Sequence, residues 1–148
     1  MTMNERSVWV QLIVMPGVAI AYFGVVFASA AGGRVEDVDW VTPMIWAISI
    51  VIAGVILGTI ASAIGAHIAA EVRGEKADME DGDIRDKEIE RLGELKGRLF
   101  TGLGSFAALV LTMTRADHFW IASALFLAGT IAAMHASIVK LRAYRNGF

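Results

Sequence analysis

The sequence predicts an all-α fold: an integral membrane four-helix bundle, with a cytoplasmic amphipathic helix between the second and third membrane helices. Three observations predict this fold. Hydrophobic residues make up 56% of the 148 residues, the mean hydropathy is +0.59 and only 19% of residues are charged, against roughly 25% in soluble domains. The charges are confined to a few blocks, which leaves four uncharged stretches. Basic residues are concentrated at one set of ends of those stretches.

The four uncharged stretches set the bounds of the predicted helices. A helix needs roughly 20 apolar residues to cross a hydrocarbon core about 30 Å thick. We expect helices at about 7–31, 42–71, 98–114 and 118–142 within a single transmembrane domain, 1–148. The third helix is short, but arginine side chains at its ends can extend to the interface and the bilayer can thin locally.

Two of the predicted helices begin with capping residues. Thr42 followed by Pro43 is typical of an N-cap and the first helical residue of the second helix. Asp117 is well suited to cap the fourth helix, because its carboxylate can accept hydrogen bonds from the first free backbone N–H groups.

Lysine and arginine residues predict the orientation of the chain. Of the 13 basic residues, two lie at the predicted outer ends, Arg34 and Arg115. The remaining basic residues are Arg6, Arg73, Lys76, Arg85, Lys87, Arg91, Lys96, Arg98, Lys140, Arg142 and Arg145. Because cytoplasmic loops are enriched in Lys and Arg, we expect both termini and the central loop, about 73–97, in the cytoplasm.

That central loop is the one extended polar segment of the sequence. Ile89 and Leu92 follow helical spacing, so the loop predicts an amphipathic helix that runs toward the third span. Gly93 and Gly97 permit a bend along it. The helix is either a docking element for a cytoplasmic partner or a solvated connector that lies along the membrane.

Small residues in the second helix predict close helix packing. Gly54 and Gly58 form a G-x-x-x-G motif, and Gly65 continues the same stripe. Such spacing lets two helix backbones approach closely in lipid. The stripe serves either self-association of two copies or packing inside one four-helix unit.

Two histidines are the remaining candidate ligands for a cofactor. His67 and His135 are predicted near the inner ends of the second and fourth helices, at similar depths. Two imidazoles that face each other across a helix bundle can ligate a haem iron. The simpler interpretation is a pair of interfacial or hydrogen-bonded histidines, so the sequence predicts no cofactor and keeps haem as an alternative.

Several classes of chemistry have no counterpart in the sequence. There is no cysteine, which excludes disulfides and Cys-ligated metal sites. No charged residue lies deep in a predicted span, and the sequence has no phosphate loop, nucleophile elbow or zinc-protease motif. The formal net charge of -2 implies no nucleic-acid partner. We therefore expect no catalytic residues, no metal and no enzymatic activity.

Three short runs resemble one group of proteins. DIRDKEI at 83–89, with Gly93, resembles a D-E-R-D-x-x-I…G stretch of an uncharacterised family of small bacterial membrane proteins. ADHFWIA at 116–122 and YRNGF at 144–148 resemble the same family. The resemblance implies a four-helix protein of the bacterial cytoplasmic (inner) membrane and no particular biochemical activity.

Charged residues near the predicted inner face suggest a polar cluster. Arg6, Asp83, Arg85, Asp86 and Arg145 carry alternating charges at one predicted depth. Side chains arranged in this way can satisfy one another through hydrogen bonds. We expect this cytoplasmic polar cluster to tie the loop helix to both termini.

The sequence favours a non-enzymatic interaction or regulatory component that works through its cytoplasmic face. The expected partners are the lipid bilayer, further copies of the chain in a small homo-oligomer, and a cytoplasmic or membrane protein. One alternative is an oligomeric channel or transport unit with its pore between protomers. Another is a haem-binding electron-transfer subunit that uses His67 and His135.

Overall fold

The computed structural model describes the backbone of residues 3–72 and 84–146, and the side chains of residues 7–61, 63–65, 68 and 87–145. The described chain is helical and has no strand, which confirms the all-α class. The helices are α1, Met3–Ala30; α2, Val41–Val72; α3, Ile84–Met113; and α4, His118–Asn146. A short 3-10 helix, Val35–Asp37, lies between α1 and α2.

Three of the four helices are long and apolar enough to cross a membrane. The qualifying segments are Ser7–Ala30, Val41–Gly65 and His118–Arg145, judged by length and composition in the described residues. This confirms the prediction of a membrane protein with transmembrane helices. In α3 the uncharged stretch covers only 99–113, about 22 Å of helix at 1.5 Å per residue.

The predicted loop helix and the predicted third span are one continuous helix, α3. Its charged half precedes Leu99 and its apolar half follows. Ile89 in the charged half is fully buried, whereas Leu95 is 51% exposed. Gly93 and Gly97, expected to permit a bend, lie instead against α4.

The helices pack in the order α2–α1–α4–α3. Helix α1 packs on both α2 and α4, and α3 packs on α4. Neighbouring helices run antiparallel, since Gly54 and Gly58 meet Val14 and Val10, while Gly97 and Gly104 meet Ala132 and Ala128. Helices α2 and α3 share no comparable contact among the described residues, so a closed bundle stays a prediction.

The helices begin and end at two opposite ends of the molecule, the loop end and the terminal end. The loop end holds the α1–α2 and α3–α4 connections, residues 31–40 and 114–117. The terminal end holds the first residues of α1 and the last residues of α4. All four helices run between these two ends, because each neighbouring pair is antiparallel.

The main apolar core lies at the loop end. Tyr22, Val26, Met44, Ala47 and Phe119 form a buried cluster from α1, α2 and α4. The α1–α2 connection closes this cluster with Val35, Val38 and Trp40. The ring centroids of Trp40 and Phe119 lie 5.9 Å apart in an edge-to-face arrangement, a favourable aromatic geometry.

The helix starts match the sequence prediction at α4 and differ at α2. Asp117 Oδ1 accepts a hydrogen bond from the Phe119 N–H at 2.8 Å, which confirms the predicted cap. Helix α2 begins at Val41, so Thr42 lies inside the helix and the prediction of Thr42 as N-cap is wrong. Asp39 Oδ1 accepts from the Thr42 N–H at 3.1 Å instead, because a carboxylate satisfies a free N–H group of the first turn.

Candidate polar site between helices α1, α3 and α4

A row of buried hydroxyl groups lies on the face of α4 that packs on α1. Ser123, Thr130 and Ser137 are 6%, 7% and 1% exposed. Their seven-residue spacing is about two helical turns, so they share one face. Tyr22 of α1 is buried opposite Ser123. The ring centroids of Tyr22 and Phe126 lie 5.4 Å apart in an edge-to-face arrangement. We call Tyr22, Ser123, Thr130 and Ser137 the hydroxyl seam.

The groups of the hydroxyl seam differ in how they are satisfied. Thr130 Oγ1 donates to the Phe126 carbonyl at 2.9 Å, within its own helix. The hydroxyls of Tyr22 and Ser123 face each other without a hydrogen bond of good geometry to protein, and Ser137 Oγ has no protein partner. Each unsatisfied hydroxyl group costs roughly 1–3 kcal/mol of stability when it is buried. The unsatisfied hydroxyl groups of the seam therefore lower the stability of an otherwise apolar interface.

The hydroxyl seam leads to a polar cavity at the terminal end. Tyr144, seven residues after Ser137, lines this cavity together with residues of α1 and α3. The cavity has a volume of about 60 Å³. Its lining residues are Ser7, Val8, Gln11, Glu90, Lys140 and Tyr144. We call it the terminal-end cavity.

The two charged residues of the terminal-end cavity form a loose ion pair. Lys140 Nζ lies 3.7 Å from Glu90 Oε1, which is too long for a hydrogen bond. The Lys140 side chain is only 13% exposed, whereas Glu90 is 66% exposed. The ammonium group therefore lies inside the cavity and the carboxylate lies at its mouth.

Gly93 lets the Lys140 side chain lie across α3. A Cβ atom at Gly93 would lie 2.6 Å from Lys140 Cγ, 2.7 Å from Lys140 Cε and 3.1 Å from the Ala136 carbonyl oxygen. Any larger residue at this position would displace the lysine stem. The glycine thereby positions the ammonium group beside Glu90.

A second polar contact closes the loop end. Glu36 Oε1 accepts from the Trp120 indole N–H at 2.7 Å, and Glu36 Oε2 accepts from Arg34 Nε at 2.8 Å. The Trp120 hydrogen bond, followed by the Arg34 hydrogen bond, lowers the pKa of the Glu36 carboxyl below its usual value. The backbone N–H of Thr42 lowers the pKa of Asp39 in the same way.

The two predicted haem ligands lie on α2 and α4, which share no extensive contact among the described residues. The His135 ring lies 4.9 Å from the Phe100 ring of α3, and its Nδ1 is buried without a protein partner. The side chain of His67 lies outside the described residues. Helix α1 separates α2 from α4 in the packing order, so the described contacts add no support for the haem alternative.

Most of the predicted cytoplasmic polar cluster lies outside the described side chains. This applies to Arg6, Asp83, Arg85 and Asp86, whereas Arg145 is described and exposed. The terminal-end cavity lies near the same end and is lined by other polar residues. Of the predicted packing glycines, Gly54 and Gly58 contact α1, whereas Gly65 has no atom within 4 Å of a Cβ position.

The hydroxyl seam and the terminal-end cavity contain residues that the sequence analysis did not single out. Ser123 and Ser137 are common small residues, and each alone is typical of helix packing. The signal that finds them is the seven-residue spacing of hydroxyl residues at 123, 130, 137 and 144. The partnership of Glu90 with Lys140 depends on the packing of α3 on α4 and has no sequence signal of its own.

Comparison of the chain with protein-family models, with curated proteins and with solved structures found no match. The resemblance carried by 83–89, 116–122 and 144–148 therefore stays a prediction. Among the described residues, no group of three or more histidine, aspartate and glutamate side chains is placed to hold a metal ion.

Proposed function

We propose that this chain is a non-enzymatic component of a membrane complex, which binds a protein partner through the charged half of α3. One observation carries the proposal. This half, residues 87–98, is charged on its exposed side and is fixed to α4 on its other side. It therefore offers a rigid charged surface beyond the apolar part of the same helix.

The contacts with α4 fix this surface before any partner binds. Ile89 is fully buried, and a Cβ atom at Gly97 would lie 3.0 Å from the Ala132 carbonyl oxygen. The exposed charged residues are Lys87, Glu88, Glu90, Arg91, Glu94, Lys96 and Arg98. A preformed surface loses less side-chain and backbone freedom on binding than a flexible loop does.

The proposal includes a location and an orientation. We place the protein in the bacterial cytoplasmic membrane as a four-helix unit, with both termini and the charged half of α3 in the cytoplasm. The distribution of basic residues supports this orientation, since only Arg34 and Arg115 lie at the loop end. Arg98 and Arg115 flank the short apolar half of α3 and can extend toward the two interfaces.

We also propose a homo-oligomer in which copies meet through α2 and α3. Among the described residues, α2 packs extensively on α1 and α3 packs extensively on α4. Gly65 on α2 and Gly102 on α3 have open space beside the Cβ position. Small residues on such faces allow close helix approach in lipid.

Native mass spectrometry after gentle extraction from the original membrane tests the partner proposal. We expect the wild type to carry a second protein in fixed stoichiometry. Glu94→Lys reverses a charge on the exposed side of α3 and should release that protein. Asp37→Lys makes the same change at the loop end, on an exposed residue, and should retain it. A homo-oligomer without a second protein, or equal loss in both variants, would contradict the proposal.

The hydroxyl seam supports a second candidate, a transport unit. Ser123, Thr130 and Ser137 place hydroxyl groups along the depth of the α1–α4 interface. Polar side chains inside a membrane helix pair often line pathways for polar solutes. Ion flux in liposomes tests this candidate: flux that exceeds protein-free liposomes and falls in Ser137→Leu would favour it over the first. Flux at the protein-free level would remove it.

A further inference from the structure

We propose that the terminal-end cavity binds the head group of a zwitterionic phospholipid, one that carries a phosphate and a primary ammonium group. Lys140 binds the phosphate and Glu90 binds the ammonium. This proposal is independent of the protein partner and of the side of the membrane on which the cavity lies. It follows from the charges, the depth and the surroundings of the cavity.

The charges of the cavity suit a ligand with one positive and one negative group. Among the described residues, Lys140 of α4 and Glu90 of α3 are the charged residues that line it, while α1 contributes Ser7 and Gln11. At 3.7 Å the two ions make no hydrogen bond to each other. Each can therefore form a charge-assisted hydrogen bond with a ligand group. An anionic ligand would meet Lys140 favourably but would be repelled by Glu90.

The depth of the cavity is that of a lipid head group. The candidate span of α1 begins at Ser7, and the span of α4 ends at Arg145. Lys140 is therefore about 7.5 Å from the end of its span, at 1.5 Å rise per residue. Head groups lie in the interfacial layer just outside the hydrocarbon core, so a lysine at this depth is within reach of lipid phosphates.

The surface of α4 beyond the cavity leaves room for an acyl chain. Helices α1 and α3 pack on different faces of α4, and the strip between those faces continues from Lys140. It carries Ala133 and Gly129, four residues apart, and Gly129 is exposed with open space beside it. A lipid whose head group occupies the cavity can lay a chain along this strip of small residues.

Competition between two lipids tests the proposal on the full chain in detergent. Phosphatidylethanolamine and phosphatidylglycerol are added in equal amounts, and the bound lipids are counted by native mass spectrometry. The wild type should prefer phosphatidylethanolamine. Lys140→Met should lower its affinity about tenfold, as expected for the loss of one charge-assisted hydrogen bond. Arg142→Met removes a nearby exposed cation outside the cavity and should retain the wild-type preference.

Glu90→Gln gives the more specific test, because the proposal predicts that this variant reverses the lipid preference. Without the carboxylate, the ammonium of phosphatidylethanolamine loses its partner and phosphatidylglycerol is no longer repelled. The preference should therefore invert, while Asp37→Asn, an exposed carboxylate at the loop end, leaves it unchanged. Glu90 is 66% exposed, so this variant keeps the test valid even if Lys140→Met fails to fold.

Three results would overturn the proposal. The first is a wild-type preference for phosphatidylglycerol, which would indicate a simple anion site. The second is an unchanged preference in Glu90→Gln. The third is displacement of the lipid by water-soluble phosphoethanolamine at equal concentration, which would show that the cavity binds a soluble ligand and that the acyl chain contributes nothing.

Discussion

Glu36 joins the α1–α2 connection to the start of α4. One carboxylate oxygen accepts from Trp120 and the other from Arg34. The Trp120 contact could not be predicted from the sequence, because Glu36 and Trp120 are far apart along the chain and each is ordinary in its local setting. The Asp117 cap could be predicted, since its hydrogen bond goes to a backbone group two residues away. At the residue scale, local hydrogen bonds follow from sequence and long-range ones follow from packing.

The Glu36 contacts predict a dependence of stability on pH. Because the pKa of folded Glu36 is lowered, its contribution is fully present above the ordinary glutamate pKa and is lost as the pH falls through the lowered value. Asp39 contributes with the same sign. We expect the midpoint temperature of unfolding in detergent to decrease when the pH is lowered below about 4. The decrease should be smaller in Glu36→Gln. Asp37→Asn, an exposed neighbour, is the control and should follow the wild type; a Glu36→Gln curve identical to the wild type would contradict this role.

Helix α3 joins a charged half and an apolar half in one continuous helix. The charged and apolar halves differ so strongly in composition that the sequence divides them near Leu99. The structure keeps them in one helix because Ile89, Gly93, Gly97 and Gly104 all lie against α4. Small residues on both helices, including Ala128 and Ala132, allow the two backbones to approach closely, as in other membrane helix pairs. The existence of the helices was predictable, but the continuity of α3 depended on its neighbour.

The α3–α4 contact predicts different outcomes for two glycines that are two residues apart. A Cβ atom at Gly104 would collide with Ala128, whereas one at Gly102 would meet nothing within 4 Å. Gly104→Ala should cost about 1–3 kcal/mol through overpacking. In protein kept monomeric, Gly102→Ala should be neutral or gain up to about 1 kcal/mol from helix propensity. Unfolding in detergent followed by circular dichroism compares them, and equal shifts would be inconsistent with the observed interface.

The α1–α2 contact allows a similar comparison within the predicted glycine stripe. A Cβ atom at Gly58 would collide with Val10, a β-branched residue with few alternative rotamers. Gly58→Ala should therefore lower the unfolding midpoint of the chain. In protein kept monomeric, Gly65→Ala should leave it unchanged, because the space beside Gly65 is open. If the stripe acted only between copies, Gly58→Ala would also leave the midpoint of monomeric protein unchanged.

At the scale of the whole molecule, the order α2–α1–α4–α3 is the feature that the sequence could not supply. Helix α2 is apolar on all sides, as its many exposed isoleucines show. In lipid, an apolar face does not identify its neighbour, because lipid tails are as apolar as side chains. Composition and charge therefore predicted helices and their sidedness, while the helix order and the terminal-end cavity came from packing.

Labelling of single cysteines tests the central proposal, that α3 crosses the membrane together with the three apolar helices, between a basic terminal end and a loop end. The chain has no cysteine, so each introduced thiol is unique. Helix α3 is the decisive element, and the informative variants are Glu94→Cys and Arg115→Cys, with Arg145→Cys marking the terminal end. An impermeant maleimide applied to intact cells should label Arg115→Cys, and should label Glu94→Cys and Arg145→Cys only after permeabilisation. Labelling of Glu94→Cys and Arg115→Cys from the same side would show that α3 does not cross, and would contradict the account.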